Sequence, residues 1–367
     1  MTTNELIAVL RLQNVPNIGD VTAKKLISHC GSPSAIFEDK VQNLLRIDGI
    51  GTMTIKGLFD AEHLEAAESE FEYIQKNNIA FDYFLDQDYP SYLKHCIDSP
   101  ILLFKRGKID LAQRKIISIV GTRNITSYGT AFCEQLIEDL VPLDPIIVSG
   151  FAYGVDITVQ RAAMKHGLQT IGCMAHGLNQ IYPKVHSKYM NAVEKNGGFY
   201  TEFWSNSNPE RENFLKRNRI IAGMSQATLV VESAEKGGSL VTADIANSYN
   251  KDVFAVPGRA QDKYSTGCNN LIKQQKAHML TSAADLIYIL GWELEEKKNV
   301  PIQKELFVAL DDTEKTIYNY LQKEGKQLLD SIALECKLPI FKVSSTLLTM
   351  EMKGVVRPLP GKLFEAV

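Results

Sequence analysis

Residues able to hold a phosphate-bearing chain gather between positions 213 and 243, NFLKRNRIIAGMSQATLVVESAEKGGSLVTA. Lys216, Arg217 and Arg219 stand beside an aromatic, Phe214. An apolar run follows at 227–231, and then a glycine loop, Lys236-Gly237-Gly238-Ser239, that opens a helix. Cations neutralise phosphates, a ring offers a stacking face to a base, and the amides at a helix start donate to an anion. Indexed at about 100° per residue, Arg217 falls on the stripe of Ile221 and Met224. Either the helix begins after Arg217, or Arg217 points inward and requires a buried anion. Lys216 and Arg219 share a different stripe, beside Gly223. A basic, solvated helix face is the competing reading of the same residues.

Three further loops carry related parts. Gly121-Thr122-Arg123 ends an apolar strand and offers helix-start amides plus a guanidinium that can bind an anion through two nitrogens. It lacks the spacing G-x-G-x-x-G, and no acidic residue closes the next strand to hold a ribose, so no redox cofactor is expected. Ser149-Gly150-x-Ala152-x-Gly154-x-Asp156 is the second loop. Ser149 has no neighbouring base to activate it, and Asp156 reads as a helix-start residue. Gly267-Cys268-Asn269-Asn270 is the third, and no histidine lies near Cys268 in sequence. Phosphate-holding parts without an acid, base and nucleophile point to binding rather than turnover, so no catalytic residue is expected.

The elements that must position these loops read as an α/β fold. Apolar strands at 116–120, 146–149, 170–174, 198–202, 227–231 and 253–256 alternate with helices at 128–140 and 156–165 and with those of the 213–243 stretch. Such alternation, with near-continuous apolar strands, predicts a doubly wound parallel sheet covered on both faces, spanning residues 111–290. Ligands of such sheets sit where strands end, and most of these strands end at or near a glycine.

Residues 1–65 read as a small helical domain with two similar turns, Val15-Pro16-Asn17-Ile18-Gly19 and Ile47-Asp48-Gly49-Ile50-Gly51, which resemble helix-hairpin-helix motifs. Asn17 replaces a glycine in the first, and asparagine tolerates the left-handed conformation. Residues 66–110 read as a connector, with an acidic helix at 66–77 and an edge strand at 79–85. Residues 291–304 read as a charged linker. Residues 305–367 should form a winged helix-turn-helix, with helices at 312–323, 329–336 and 340–352 and a hairpin around Pro358-Leu359-Pro360-Gly361. Its third helix carries few cations, Lys342 and Lys353, so docking to protein is as natural a role for it as duplex reading.

The 367 residues suggest two or three domains, and a net charge of −3 requires any nucleic-acid site to be a local patch. Six scattered cysteines without C-x-x-C argue against a metal knuckle or a disulfide framework and for a reducing, cytoplasmic setting. His63-Leu64-Glu65 reads as a chance match to a zinc-deaminase signature, so no metal is expected. The N-terminus does not read as a signal peptide, and no apolar run approaches the roughly 20 residues that span a bilayer, so no membrane partner is expected.

Several of these segments resemble the DNA-processing protein A family (DprA, also called Smf), in that family's order. They are Val120-Gly121-Thr122-Arg123 with Tyr128-Gly129, the run Val148-Ser149-Gly150-Phe151-Ala152-Tyr153-Gly154-Val155-Asp156, Tyr182-Pro183, and Arg217-Asn218-Arg219-Ile220-Ile221-Ala222-Gly223. Gly238-Ser239-Leu240-Val241-Thr242-Ala243, Val253-Phe254-Ala255-Val256-Pro257-Gly258 and Gly267-Cys268-Asn269 complete the set. Two places depart from the pattern: Val159-Gln160 stands where a histidine is usual, and Lys276-Ala277 where a glycine precedes alanine.

The resemblance implies an extended Rossmann-like core that binds single-stranded DNA without a nucleotide cofactor and forms a homodimer through that core. It also implies protection of incoming DNA in natural transformation and loading of the RecA recombinase. Carried over, the implied DNA contacts are Gly121, Arg123, Ser149, Gly150, Phe214, Lys216, Arg217, Asn218, Arg219, Gly238 and Ser239, with Arg123, Lys216 and Arg219 lining one trough. An enzymatic alternative is a nucleotide-processing phosphoribohydrolase, which also places Gly-Gly at a helix start. That family's glutamate is missing after Gly237-Gly238.

Overall fold

The computed structural model describes residues 1–112, 114–293, 310–359 and 362–367. The chain divides into two compact units, Met1–Leu294 and Glu295–Val367. Most of the linker expected at 291–304, the start of the last module at 305–309, and the Pro360-Gly361 tip of its hairpin lie outside the described residues.

The first unit is built on a nine-stranded sheet: β1 (Ala80–Tyr83), β2 (Leu102–Gly107), β3 (Ile116–Val120), β4 (Ile146–Ser149), β5 (Thr170–Cys173), β6 (Gly197–Thr201), β7 (Ala227–Val230), β8 (Asp252–Ala255) and β9 (His278–Met279). Their order is β1-β2-β6-β5-β4-β3-β7-β8-β9. Strands β3 to β9 pair in parallel, whereas β1 with β2 and β2 with β6 are antiparallel. The winding runs outward from β3 through β4, β5 and β6, then returns to β7 beside β3. That reversal leaves a crevice at the carboxyl ends of β3 and β7.

The strand sequences explain the burial. Ile116, Val120, Ile146 and Val148 face one core, while Ile117, Ile119 and Ile147 face the other, as the period of two requires. The helix Arg211–Met224 covers the first face with Ile220, Ile221 and Met224. The helices Ser127–Leu140 and Val155–Lys165 cover the second with Leu136, Leu140, Val155 and Val159. The carboxyl end of Arg211–Met224 is fixed by Lys251, whose ammonium donates to the carbonyls of Ala222 (3.2 Å), Gly223 and Ser225 (2.8 Å). A cation there satisfies carbonyls that a helix end leaves free.

Two expectations need correction. The segment 66–110 is more than a connector: β1 and β2 are strands of the main sheet, because β2 pairs with β6 from Phe104↔Thr201 to Gly107↔Gly198. The N-terminal helices share a core with these strands, in which Leu10, Leu26 and Leu58 join Leu102 and Phe104. The two N-terminal turns also differ. The first joins the helices Thr3–Asn14 and Asp20–Cys30, with Asn17 left-handed at φ 67°. The second follows a single turn of helix, Val41–Leu44, and leads into turns at residues 51–59 rather than a helix. Gly57 in that stretch is left-handed at φ 81°, which breaks helical continuation.

The second unit holds the helices Asp312–Glu324, Leu329–Glu335 and Ile340–Met352 with a small antiparallel sheet of β10 (Gln327–Leu328), β11 (Val356–Leu359) and β12 (Leu363–Ala366), ordered β10-β12-β11. Asp311 and Glu314 form a reciprocal capping box at the first helix start. This is the winged-helix arrangement, with Ile317, Ile332, Val343 and Leu347 at its centre.

Candidate nucleic-acid interface

A trough of about 760 Å³ opens at the switch in strand order. The loop after β3 contributes Gly121, Thr122 and Arg123, and the loop after β4 contributes Ala152 and Tyr153. The loop after β7 contributes Lys236, Gly237, Gly238 and Ser239, and the loop after β8 contributes Lys263 and Tyr264. The remaining wall is one face of the helix Arg211–Met224, where Arg211, Phe214, Leu215 and Asn218 recur at helical spacing. Arg123, Arg211, Lys236 and Lys263 are exposed along it. The Arg123 guanidinium lies 5.3 Å from the centre of the Phe214 ring, and Tyr182 sits on the same ring with centroids 5.7 Å apart. Asn124 donates to the Tyr264 hydroxyl at 3.2 Å, which ties the β3 and β8 loops together.

Close backbone approach shapes the floor. A side chain on Gly121 would strike Val155 and the Glu232 carbonyl, and Gly154, at φ 76°, lies against the Thr122 carbonyl and Arg123. The Val155 amide donates to that Thr122 carbonyl at 3.1 Å. The helix Gly238–Ser248 starts in the trough wall, and among the described residues no side chain caps it, which leaves helix-start amides without an intrahelical acceptor. Ser239 lies almost buried, its hydroxyl donating to Ser233 at 2.9 Å, and Asn218 reaches the Gly238 carbonyl at 3.4 Å.

Arg217 takes the inward alternative. The helix begins at Arg211, and Arg217 is 4% exposed, donating to the carbonyls of Gly150 (2.8 Å) and Cys173. The buried anion it needs is Asp156, whose carboxylate accepts the amides of Gly150 (3.1 Å) and Ala152 (3.4 Å). Burial raises the Asp156 carboxyl, and the Arg217 charge pulls it back. Burial likewise lowers the Arg217 guanidinium, against Asp156. Asp156 is thereby an organiser of the β4 loop.

Five expected contacts are therefore either committed within the fold or placed outside the trough, although Arg217 still lines its wall. Ser149 is fully buried, its hydroxyl donating to the Ile119 carbonyl at 2.6 Å. Gly150 has its amide bonded to Asp156 and its carbonyl bonded to Arg217. Arg217 is consumed as described. Lys216 and Arg219, on the other stripe of their helix, line a separate cleft of about 590 Å³ with Asp20, Asp98, Glu202 and Trp204. The expectation that Arg123, Lys216 and Arg219 share one trough is overturned, because Lys216 and Arg219 occupy a different stripe of their helix from Arg211, Phe214 and Asn218, which line the trough with Arg123.

Arg219 is the hub of that second cleft. It donates to the Asp98 carbonyl and to the carboxylates of Asp20 (3.0 Å) and Glu202. One guanidinium serves two carboxylates, and among the described residues Glu202 Oε1 has no partner. Burial, with Arg219 opposing and Asp20 reinforcing it, pushes the Glu202 carboxyl up to about 7.

Arg211, Lys236, Lys263, Tyr153 and Tyr264 complete the trough and were absent from the expected contacts. Extending the helical indexing back from Asn218 through Phe214 reaches Arg211. Lys263 and Tyr264 had no such signal, since only the fold brings the β8 loop beside the β3 loop. Among the described residues, Asp60, Glu62 and His63 approach one another within 4.8 Å, but His63 Nδ1 is bonded to Asn14 and Arg11 crowds Asp60 as a competing cation. No described helix is long and apolar enough to cross a membrane.

Comparison with known proteins agrees with this architecture. A model of the family described as DNA recombination-mediator protein A matches residues 80–291, and one described as DprA winged helix domain matches residues 307–362. The DNA processing protein DprA of Streptococcus pneumoniae is 31% identical over 78% of this chain and 93% of its own length. Protein Smf of Synechocystis is 29% identical over the full length of both chains. The crystal structure of the pneumococcal DprA superposes with a TM-score of 0.68 at 29% identity, covering 78% of this chain and 98% of that one. DNA processing protein A from Helicobacter pylori, described for its single-stranded DNA binding mode, superposes with a TM-score of 0.52 at 27% identity, covering 57% and 95%.

Proposed function

We propose that this chain, which belongs to the DNA recombination-mediator protein A family, binds single-stranded DNA in the trough and leaves it chemically unchanged. The observation that carries this reading is the row of exposed cations, Arg123, Arg211, Lys236 and Lys263, interleaved with Tyr153, Phe214 and Tyr264 around uncapped helix amides. Cations that track a backbone, with rings on which bases stack, bind single strands with little regard to sequence. A duplex hides its base faces and gains nothing from the rings. Asp156, the carboxylate in the trough wall, is already engaged by two amides, which favours holding over hydrolysis and speaks against the phosphoribohydrolase alternative.

Within this reading the protein acts in the cytoplasm, protects incoming strands during natural transformation and passes them to the RecA recombinase. It works as a homodimer joined through the sheet domain. The terminal strand β9, with Met279 51% exposed, and Tyr288 on the helix Ala283–Leu290, 87% exposed, favour that surface. The testing experiment is competition on the full chain between single- and double-stranded oligonucleotides of the same sequence. Single strands should displace a labelled oligo-dT far more effectively. Equal displacement by duplex sinks the reading, and release of free base from a nucleoside monophosphate revives the enzymatic one.

A further inference from the structure

We propose that a single strand held in the trough runs on over Tyr264 into a second cavity, where Tyr128 stacks a further base and Arg259 pairs with its phosphate. This rests on the reading of the trough as a single-strand site. The second cavity, of about 920 Å³, opens between the start of the helix Ser127–Leu140 and the loop after β8. It shares Lys263 and Tyr264 with the trough, so the two meet along those side chains. The loop that carries the shared ring is held from several sides. The Ser233 amide donates to the Tyr264 carbonyl at 2.7 Å, and Asn124 donates to the Tyr264 hydroxyl. Asn269 accepts from the Gly258 amide (3.1 Å) and donates to the Gly258 carbonyl (3.0 Å). The Lys263 ammonium lies 5.5 Å from the centre of the Tyr264 ring. Tyr128 is 53% exposed, and its hydroxyl donates to the Pro257 carbonyl at 3.3 Å, so an exposed ring is anchored at its tip. A ring already fixed in place loses little freedom when a base stacks on it.

Ring and cation thus recur beyond the trough: Phe214 with Arg123 inside it, Tyr264 with Lys263 at the divide, Tyr128 with Arg259 past it. That alternation suits a chain that alternates base and phosphate. The charge balance favours the same route. Arg259 and Lys263 are exposed in the wall of the second cavity against one exposed carboxylate, Asp262. Glu232, in the same wall, is 4% exposed, and its carboxylate accepts from the Thr126 amide (2.9 Å) and hydroxyl. A third cavity that also borders Arg123, of about 600 Å³, has no other lysine or arginine among the described residues of its wall, which includes Ile125 and Ile157. A strand that left the trough on that side would carry its phosphates past Arg123 without a further cation to meet them.

Anisotropy titrations of the full-length protein with oligo-dT of about 4 to about 16 nucleotides test this, a range that spans single-strand site sizes. Wild-type affinity should rise in a second step once the strand outgrows the trough. Arg259→Ala should flatten that step and lower the salt slope by about 0.7 for long strands alone. Tyr128→Ala should weaken long strands about fivefold, and Tyr128→Phe, which keeps the ring, should not. Asp262→Asn should tighten long strands, a gain that misfolding cannot produce. Short strands should bind these variants as they bind wild type. Arg161→Ala, one turn along the helix from Ile157 of the third cavity, should match wild type at every length. Suppose instead that Arg259→Ala and Asp262→Asn follow wild type at every length, while short strands still bind and still lose affinity in Phe214→Ala. The route over Tyr264 is then overturned and the trough reading stands. A length-dependent loss in Arg161→Ala in place of Arg259→Ala overturns the route too, and if no length of single strand binds, both readings fall.

Discussion

Arg123 and Phe214 meet across the trough, the guanidinium 5.3 Å from the ring centre, although one follows β3 and the other lies on the helix Arg211–Met224. The pair joins a phosphate-binding charge to a base-stacking face. Arg123→Ala should weaken binding to oligonucleotides of unrelated sequence equally and lower the slope of log K against log salt by about 0.7. Phe214→Ala should cost roughly 1–3 kcal/mol with little change in that slope. Fluorescence anisotropy at several salt concentrations separates the two effects.

The two stripes of the same helix give a sharper contrast. Lys263→Ala and Arg211→Ala should each weaken single-strand affinity several-fold. Lys216→Ala, in the other cleft, should leave it within twofold, since exposed side chains off the site contribute little. Equal losses for Lys216 and Lys263 would mean that the strand follows a different path.

Gly150 sits where Asp156 and Arg217 converge. A methyl group there would come within 2.6 Å of Asp156 Oδ2 and of the nearer guanidinium nitrogen. Gly150→Ala should therefore destabilise the fold by about 1–3 kcal/mol, read as a lower urea midpoint. An unchanged midpoint would show that the buried pair is looser than described.

The Glu202 carboxyl, raised by burial to about 7 from its ordinary 4.5, holds its proton more tightly in the folded protein than in the unfolded chain. Its contribution to stability is fully present below the unfolded value and is lost as pH rises through about 7. Glu202→Gln keeps the neutral form at every pH. The stability of that variant relative to wild type should grow between pH 5 and 8, by up to about 3 kcal/mol. A pH-independent difference in urea unfolding would refute the assignment.

The strands, the covering helices and the winged module were legible because each announces itself by a local period: Ile116 to Val120 as a fully apolar run, Phe132, Leu136 and Leu140 as a helix stripe. The inward course of Arg217 was legible as one of two alternatives, and so was the separate stripe of Lys216 and Arg219. What that stripe faces was not. Asp20, from the N-terminal helices, is 199 residues away from Arg219, and no local pattern announces a contact made by folding at that distance. Ser149 misled for the same reason, since its neighbour Ile119 belongs to the adjacent strand. Lys263 and Tyr264 join the trough only because the winding returns to β7 and β8 beside β3.

The antiparallel addition of β1 and β2 to the sheet bears on how the protein can be trimmed. A chain begun at residue 111 would strip β6 of its neighbour and leave the backbone of Gly198, Phe199, Tyr200 and Thr201 without its β2 partner, an invitation to sticky edge-to-edge stacking. The smallest soluble core should start ahead of Ala80, and shorter versions should precipitate for a reason unrelated to DNA.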